Sequence, residues 1–473
     1  MTNDTNSEIF DVIVMGGGPG GYATALYGAA AGLNIAMVEE DRVGGTCLHR
    51  GCIPAKALLQ TAEVAHNVKT AQAFGVDAQG GAIDFSILQK RKTTIINNLV
   101  GGLEGLLKRR KVTVFNSKAM LHNAQQKQVS LSDGTIIQAS KAVVVATGSF
   151  PRQFGPVEFD GEVIMSSDHV LNIDHAPQKV AIIGGGAIGC EFASFFNEAG
   201  SEVTLLEVAP TLLAGCDKDA AAVVQKSFKK NGMNVLTSVS VGSITKNGNT
   251  GVVTYTDGNG TTTDLNVDVV VVSVGRRPRS ENIGLESAGV NVDDRGFVTV
   301  DSNMRTNVEG IYALGDLVPT PALAHVGFAE AMVAIKTILD EAPAGIDYSK
   351  VPWGIYCHPE VSFCGMTEEV AKEWAEKNGK EIIVKKEGFI GDGRAMIIGQ
   401  TDGFMKLIAV KDGPLLGVHI VGPWATELLG EGYLAVNWEA TVDDIATLIH
   451  PHPTLSEVFG EAAIAMTGRP IHG

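Results

Sequence analysis

Phe10-Asp11-Val12-Ile13-Val14-Met15 is a mostly apolar run, and Gly16-Gly17-Gly18-Pro19-Gly20-Gly21 follows it directly. A short run of this kind reads as a buried strand, and the Ala-rich stretch after Gly21 reads as a helix. A second strand, Asn34 to Val38, ends at Glu39. Glycines at 16, 18 and 21 let backbone approach a pyrophosphate, and the helix N-terminus adds N–H groups and partial positive charge. An acid closing the second strand accepts hydrogen bonds from adenosine ribose hydroxyls. Gly-x-Gly-x-x-Gly alone is weak evidence; with strand, helix and acid around it, the pattern specifies a nucleotide site.

The unit recurs. Val180-Ala181-Ile182-Ile183 leads into Gly184-Gly185-Gly186-Ala187-Ile188-Gly189, an Ala/Phe-rich helix, and Val203-Thr204-Leu205-Leu206-Glu207. Gly184, Gly186, Gly189 and Glu207 each stand 168 residues after Gly16, Gly18, Gly21 and Glu39. Two copies imply two nucleotide-binding domains and two different cofactors. The Glu207 carboxylate would repel a 2′-phosphate, and no Arg follows closely, which favours NAD over NADP.

Each domain closes in a similar apolar strand, Ala142 to Gly148 and Asp268 to Gly275, and Pro-bearing links at 150–156 and 276–279 mark boundaries. From about Ser349 the texture becomes mixed strands and helices with no Gly-rich loop. The expected fold is α/β: two Rossmann-like dinucleotide-binding domains and a C-terminal α+β domain.

Between the copies lies Gly45-Thr46-Cys47-Leu48-His49-Arg50-Gly51-Cys52-Ile53-Pro54-Ala55-Lys56. Two cysteines five positions apart fit two buried structural thiols or a redox couple. The nucleotide loop about thirty residues upstream suggests a redox disulfide placed against a flavin. Pro54 suits a first helical turn and Ala55 to Leu59 is good helix sequence. A helix N-terminus would stabilise a thiolate at Cys52, leaving Cys47 to meet an outside thiol. Lys56 follows Cys52 by one turn, either as an exposed lysine or as an ammonium facing flavin and thiolate.

Near the C-terminus, His450-Pro451-His452-Pro453-Thr454-Leu455-Ser456-Glu457 places His452 between prolines that preclude a regular helix. Glu457 could orient the imidazole as in acid–base pairs; a rigid interface turn fits the spacing equally well.

Composition excludes other classes. Net charge is −16, with 45% hydrophobic and 19% charged residues. An acidic chain argues against nucleic acid as a partner. Lys108-Arg109-Arg110-Lys111 reads as a solvated helix end. Met1 to Glu8 lacks the blocks of a signal or transit peptide, and no apolar run spans a membrane. Six cysteines in 473 residues make no secreted disulfide framework, so the location is expected to be cytoplasmic. Cys190, Cys216, Cys357 and Cys364 have no metal-like spacing and read as buried thiols; no metal is expected.

These residues together resemble the flavin-dependent pyridine nucleotide–disulfide oxidoreductases, within them the branch that oxidises dihydrolipoamide. The resemblance covers essentially the whole chain. It is carried by both glycine loops with their acids, Cys47 to Lys56, Ala146-Thr147-Gly148-Ser149, Gly275-Arg276, Thr306 to Asp316, and His452-Pro453-Thr454 to Glu457. It implies FAD and NAD as cofactors, a homodimer, and lipoyl domains of 2-oxo acid dehydrogenase or glycine cleavage complexes as partners. Glu39, Lys56, Thr147 and Gly148 would meet FAD, with Asp316 at its ribityl chain, Ala324 backbone at the isoalloxazine and Ala119 near the adenine. Glu191 would lie by the nicotinamide and pair with Lys56. Val241 would flank the NAD adenine and Gly275 the nicotinamide ribose. His452, held by Glu457, would serve as general base across a dimer interface.

The implied division is 1–150 for FAD, 151–278 for NAD, 279–347 returning to the FAD side, and 348–473 for the interface. Relatives usually carry Thr for Cys357, Asn and a small apolar residue for His49-Arg50, Ser for Ala55, and a small residue for Pro451. The alternative is another flavin disulfide reductase, of the glutathione or mercuric type. Glu207 opposes the first, since those enzymes favour NADPH. The second carries a C-terminal cysteine pair, whereas the last cysteine here is Cys364. A soluble transhydrogenase would lack Cys47.

Overall fold

The computed structural model describes residues 9–472; Met1–Glu8, read above for targeting signals, lies outside them. The chain forms two compact units, each discontinuous. Of the described residues, one comprises 9–57, 86–152 and 275–348, the other 58–85, 153–274 and 349–472.

The first unit is built on Ile9–Met15, a strand buried along most of its length. It runs parallel to Ile35–Glu39 on one side and Ile136–Val145 on the other. Thr113–Asn116 extends the sheet beyond Ile35–Glu39, and Ile311–Ala313 pairs in parallel with Ile136–Val145. The ten-residue Ile136–Val145 serves two roles. Its second half lies in the parallel sheet, while its first half pairs antiparallel with Gln128–Leu131. Val12, Ile13, Val14, Val143, Val144 and Val145 are fully buried, as a sheet covered on both faces requires. Gly16 turns the chain at φ 106°, and a Cβ there would stand 2.4 Å from the Ala146 carbonyl oxygen. Helix Pro19–Ala30 follows, with Pro at its first position. Gly20 and Gly327 bring this helix against Ala324–Ile338; a Cβ on Gly20 would lie 2.4 Å from Leu314 Cδ1.

The second unit repeats the plan. Asn234–Leu236, Glu202–Leu206, Lys179–Ile183, Val269–Val272 and Ile164–Ser166 form an all-parallel sheet in that order. Gly184, at φ 103°, leads into helix Ala187–Glu198. An antiparallel ribbon, Ser240–Asn247, Thr250–Thr256 and Thr262–Val267, is set beside this sheet. The same unit holds a five-stranded antiparallel sheet, ordered Trp353–Ile355, Glu360–Gly365, Leu415–Gly422, Phe404–Val410, Ile382–Gly388. Helices Ala425–Asn437, Val442–Ala446 and Glu457–Met466 share its core through Leu429, Val436, Val442, Ile445, Phe459 and Ala463. The expected fold class is therefore observed, two parallel nucleotide-type sheets and one α+β part.

A buried cation sits inside the second unit. Lys406, in the wholly buried strand Phe404–Val410, has a side chain only 3% exposed. Its ammonium donates to Asp217 at 2.9 and 3.0 Å, Asp219 at 3.0 Å and Glu368 at 2.7 Å. Burial opposes its charge, but these carboxylates outweigh burial and hold its pKa above the ordinary lysine value. Three partners satisfy the ammonium, as a buried cation demands.

Candidate active site

The cysteines occupy two helices rather than one. Gly44, at φ 108°, and Gly45, at φ 54°, start a short helix Gly45–Arg50 that carries Cys47. Gly51 breaks it at φ −150°, and Cys52 opens the long helix Cys52–Thr70. Glycine is required at 45, where a Cβ would come within 2.5 Å of Gly18 Cα. The cysteine loop therefore lies directly against the first glycine loop, and Gly44 N–H donates to Gly17 O at 2.8 Å. The two thiols share a hydrogen bond. That bond, then burial, pushes the Cys47 thiol well above its ordinary pKa, with Lys56 pulling the other way. Lys56 is thus electrostatically coupled to the sulfur pair. His49 Nε2 bonds Val43 O at 2.9 Å, and Arg50 pairs with Asp41 at 3.1 Å.

Both acids close their loops in the same way. Glu39 accepts Gly17 N–H at 2.6 Å and Asp41 N–H at 2.9 Å. Glu207 accepts Gly185 N–H at 2.5 Å and Ala209 N–H at 2.7 Å. No side chain caps either helix, at Gly18 or Gly186. Open N-termini with close-approach glycines fit a pyrophosphate. The third glycine of each loop permits the helix to pass its own strand: a Cβ at Gly21 or Gly189 would stand 1.9 Å from the carbonyl oxygen of Gly16 or Gly184.

The match continues at the residues assigned to the adenines. Ser117 N–H donates to Glu39 O at 2.9 Å, and Ala119 lies two residues on. Val239 N–H donates to Glu207 O at 3.0 Å, and Val241 lies two residues on. In the first unit a cavity of about 480 Å³ opens beside Glu39, bordered by Arg42, Lys108, Lys111 and Asn116.

Thr147 Oγ1 donates to Arg279 O at 2.7 Å, and Gly148 has φ 75° with open space where a Cβ would stand. Asp316 accepts Ser149 Oγ–H at 2.5 Å; Ser149 in turn is bound by Arg276 Nε at 2.8 Å through Oγ and by Arg276 Nη2 at 2.9 Å through its carbonyl. Ala324 begins the helix Ala324–Ile338. Gly275, at φ 106°, again has open space at its Cβ position.

In the second unit Glu191, 7% exposed, accepts Tyr356 N–H at 3.0 Å. His452 Nδ1 lies 2.8 Å from Glu457 Oε1, and Glu457 Oε2 accepts Thr454 N–H at 2.7 Å. The His452 side chain is 78% exposed. Burial works to raise the Glu457 pKa, but the Thr454 N–H and His452 outweigh it and keep the carboxylate below its usual range. Nδ1 is engaged, so Nε2 faces outward, the geometry of an oriented base.

Several residues escaped the sequence reading. Ser149 and Arg276 stood in quoted motifs without an assigned role. Glu330 is fully buried and accepts from Gly315 N–H at 2.7 Å, Thr320 at 2.7 Å and Tyr348 at 2.9 Å, fixing the turn around Asp316. Tyr22 is pushed up to about pKa 12 by burial, then by Cys47 and Cys52. Its position in the helix after the glycine loop gave no chemical signal. Cys190, Cys357 and Cys364 are buried as expected, whereas Cys216 is partly exposed because it follows a solvent-facing Ala214-Gly215 turn. Among the described residues no group of His, Cys, Asp and Glu could hold a metal, and no helix is long and apolar enough to cross a membrane.

Residues 10–331 match the pyridine nucleotide-disulphide oxidoreductase family, and residues 351–463 match that family's dimerisation domain. The chain belongs to the pyridine nucleotide-disulphide oxidoreductase family. The oxidoreductase is 39% identical over 467 residues to a dihydrolipoyl dehydrogenase of Chlamydia pneumoniae, covering 98% of this chain and 99% of that one. It is 37% identical to that of Geobacillus stearothermophilus, covering 98% and 97%. Among solved structures, LpdA of Mycobacterium tuberculosis superposes with TM-score 0.88 at 25% identity, covering 96% of this chain and 99% of that chain. The HOCl-induced flavoprotein disulfide reductase RclA of Escherichia coli gives 0.84 at 25%, with the same coverage. An oxidoreductase with a disulfide redox centre thus fits both the geometry and the relatives.

Proposed function

We propose that this oxidoreductase is a dihydrolipoyl dehydrogenase, oxidising protein-bound dihydrolipoamide to lipoamide and reducing NAD⁺ to NADH. The observation that carries it is the Cys47–Cys52 pair seated on the first glycine loop, in a chain with a second, acid-closed glycine loop.

The residues divide the work. His452 Nε2 accepts the proton from one substrate thiol, and the resulting thiolate attacks Cys47 Sγ of the Cys47–Cys52 disulfide. A mixed disulfide forms and Cys52 leaves as thiolate, with Lys56 as its nearby cation. The second substrate thiol then displaces Cys47, releasing lipoamide and leaving both cysteines reduced. The chemistry supplied by bound FAD is removal of that electron pair and its delivery as hydride to NAD⁺. FAD is held by Gly16, Gly18, Gly21, Glu39, Lys56, Ala119, Thr147, Gly148, Asp316 and Ala324. NAD is held by Gly184, Gly186, Gly189, Glu191, Glu207, Val241 and Gly275.

The FAD segments are 1–150 and 279–347, the NAD segment 151–278 and the interface segment 348–473. His452 serves the site of the second protomer of a homodimer. The partners are lipoyl domains of a 2-oxo acid dehydrogenase or glycine cleavage complex, and the location is the cytoplasm. Purified yellow protein should oxidise dihydrolipoamide with NAD⁺, and Cys47→Ser and Cys52→Ser should each abolish this with flavin still bound. Near-normal turnover in either variant would reject the reading.

A further inference from the structure

Two residues before His452, a second histidine is built into the protein in the opposite sense. His450 Nε2 lies 2.9 Å from Glu431 Oε1, and its side chain is 11% exposed, against 78% for His452. The ring meets Phe459 edge-on at 6.4 Å. It also rests where Gly460 has no side chain: a Cβ there would be 2.5 Å from His450 Nδ1. Glu431 belongs to helix Ala425–Asn437, while Phe459 and Gly460 belong to helix Glu457–Met466. The imidazole therefore docks into a socket formed by two helices. The loop beyond it is clamped again, by Thr454 Oγ1 on Pro451 O at 2.7 Å.

We infer that His450 and its Glu431–Gly460 socket are positioning elements for the general base, setting where His452 Nε2 meets the substrate thiol. The inference rests on the proposed role of His452 and extends it. Glu457 fixes the rotation of the His452 ring from the first position of helix Glu457–Met466. That helix anchors the C-terminal side of the loop through Val458 and Phe459 in the core, whereas Leu448 and Ile449 on its N-terminal side are exposed, and it is this side that needs a second tether. The inward His450 ties it to helix Ala425–Asn437, whose Leu429 and Val436 lie in the core. A base displaced by about 1 Å can cost ~100-fold in rate, so a tether outside the reacting groups has kinetic weight.

Glu431→Gln keeps the shape of the socket but replaces the charged acceptor, and Gly460→Ala pushes the ring out of it. His452→Gln is the reference. Each variant is assayed as flavin-loaded holoenzyme in two reactions. One is NAD⁺-linked dihydrolipoamide oxidation across pH. The other is NADH oxidation by ferricyanide, which needs no thiol proton transfer. The inference expects Glu431→Gln and Gly460→Ala to lower dihydrolipoamide kcat ~10-fold or more, with ferricyanide turnover within twofold of wild type. It also expects Glu431→Asp to recover part of the loss. Equal losses in both assays, or none in either, would overturn the inference while leaving the His452 assignment intact. Normal dihydrolipoamide turnover in His452→Gln would instead overturn the reading on which it rests.

Discussion

Glu207 Oε2 accepts the Gly185 N–H at 2.5 Å, so the acid that closes the second strand also holds the glycine loop it faces. Its other oxygen takes Ala209 N–H at 2.7 Å. The carboxylate is fixed by backbone before any ribose arrives, so in its proposed role at the 2′ position it would bind at little further entropic cost.

Because Glu207 has this double role, its removal alone would loosen the loop as well as alter cofactor choice. Glu207→Gln keeps an acceptor oxygen for Gly185, and Val208, 74% exposed, offers a place for an arginine. The double variant Glu207→Gln/Val208→Arg should shift the NADP/NAD ratio of kcat/KM upward by ~10- to 100-fold, the scale of one charge-assisted hydrogen bond gained. Steady-state kinetics with both nucleotides checks this; an unchanged ratio rejects Glu207 as the selectivity residue.

Gly21 and Gly189 are the third glycines of their loops, each facing a carbonyl oxygen that a Cβ would meet at 1.9 Å. The obstacle is backbone, so it cannot rotate away. Gly21→Ala should purify without flavin colour, whereas Gly189→Ala should stay yellow but show a much raised KM for NAD⁺. Absorbance spectra and NAD⁺ titration separate the two. A yellow Gly21→Ala protein of normal activity would remove the first loop from FAD binding.

His66 Nδ1 lies 3.0 Å from Glu198 Oε1, and this bond raises the imidazole pKa above its ordinary value despite burial. A raised folded-state pKa gives stability that is fully present below the unfolded value near ~6.5 and is lost as pH climbs through the folded one. Glu198→Gln should therefore lower Tm most at about pH 6 and progressively less toward pH 9. Both side chains are partly exposed, so the effect should stay within ~1 kcal/mol. Thermal melts of the two proteins across that range test it, and a gap that widened with pH would reverse the sign.

Much of this was legible because it was local and repeated. The 168-residue offset carried both loops and both acids, and each domain closed in a similar apolar strand. His452 and Glu457 are five residues apart, and the cysteine pair also sits within one short segment. What sequence could not convey was contact across distance. Asp316 is held by Ser149, 167 residues earlier, which is itself held by Arg276. Glu330 reads as an ordinary helix glutamate until the Gly315, Thr320 and Tyr348 donors are seen around it. The start of the first cysteine helix depends on glycine dihedrals at 44 and 45 and its break from the second on Gly51, and Gly-rich composition signals a turn without locating it. His450 was visible as a histidine, but its inward direction depends on Glu431 and the missing Cβ of Gly460.

Cys47 and Cys52 are proposed to cycle between disulfide and dithiol while the other four cysteines do not. The direct measurement is differential alkylation with peptide mass mapping. Holoenzyme is blocked under native conditions, reduced anaerobically with NADH, and labelled with a second reagent. New label is expected on Cys47 and Cys52 alone, with Cys190, Cys216, Cys357 and Cys364 unchanged. No gain at either residue, or a gain confined to the other four, would contradict it.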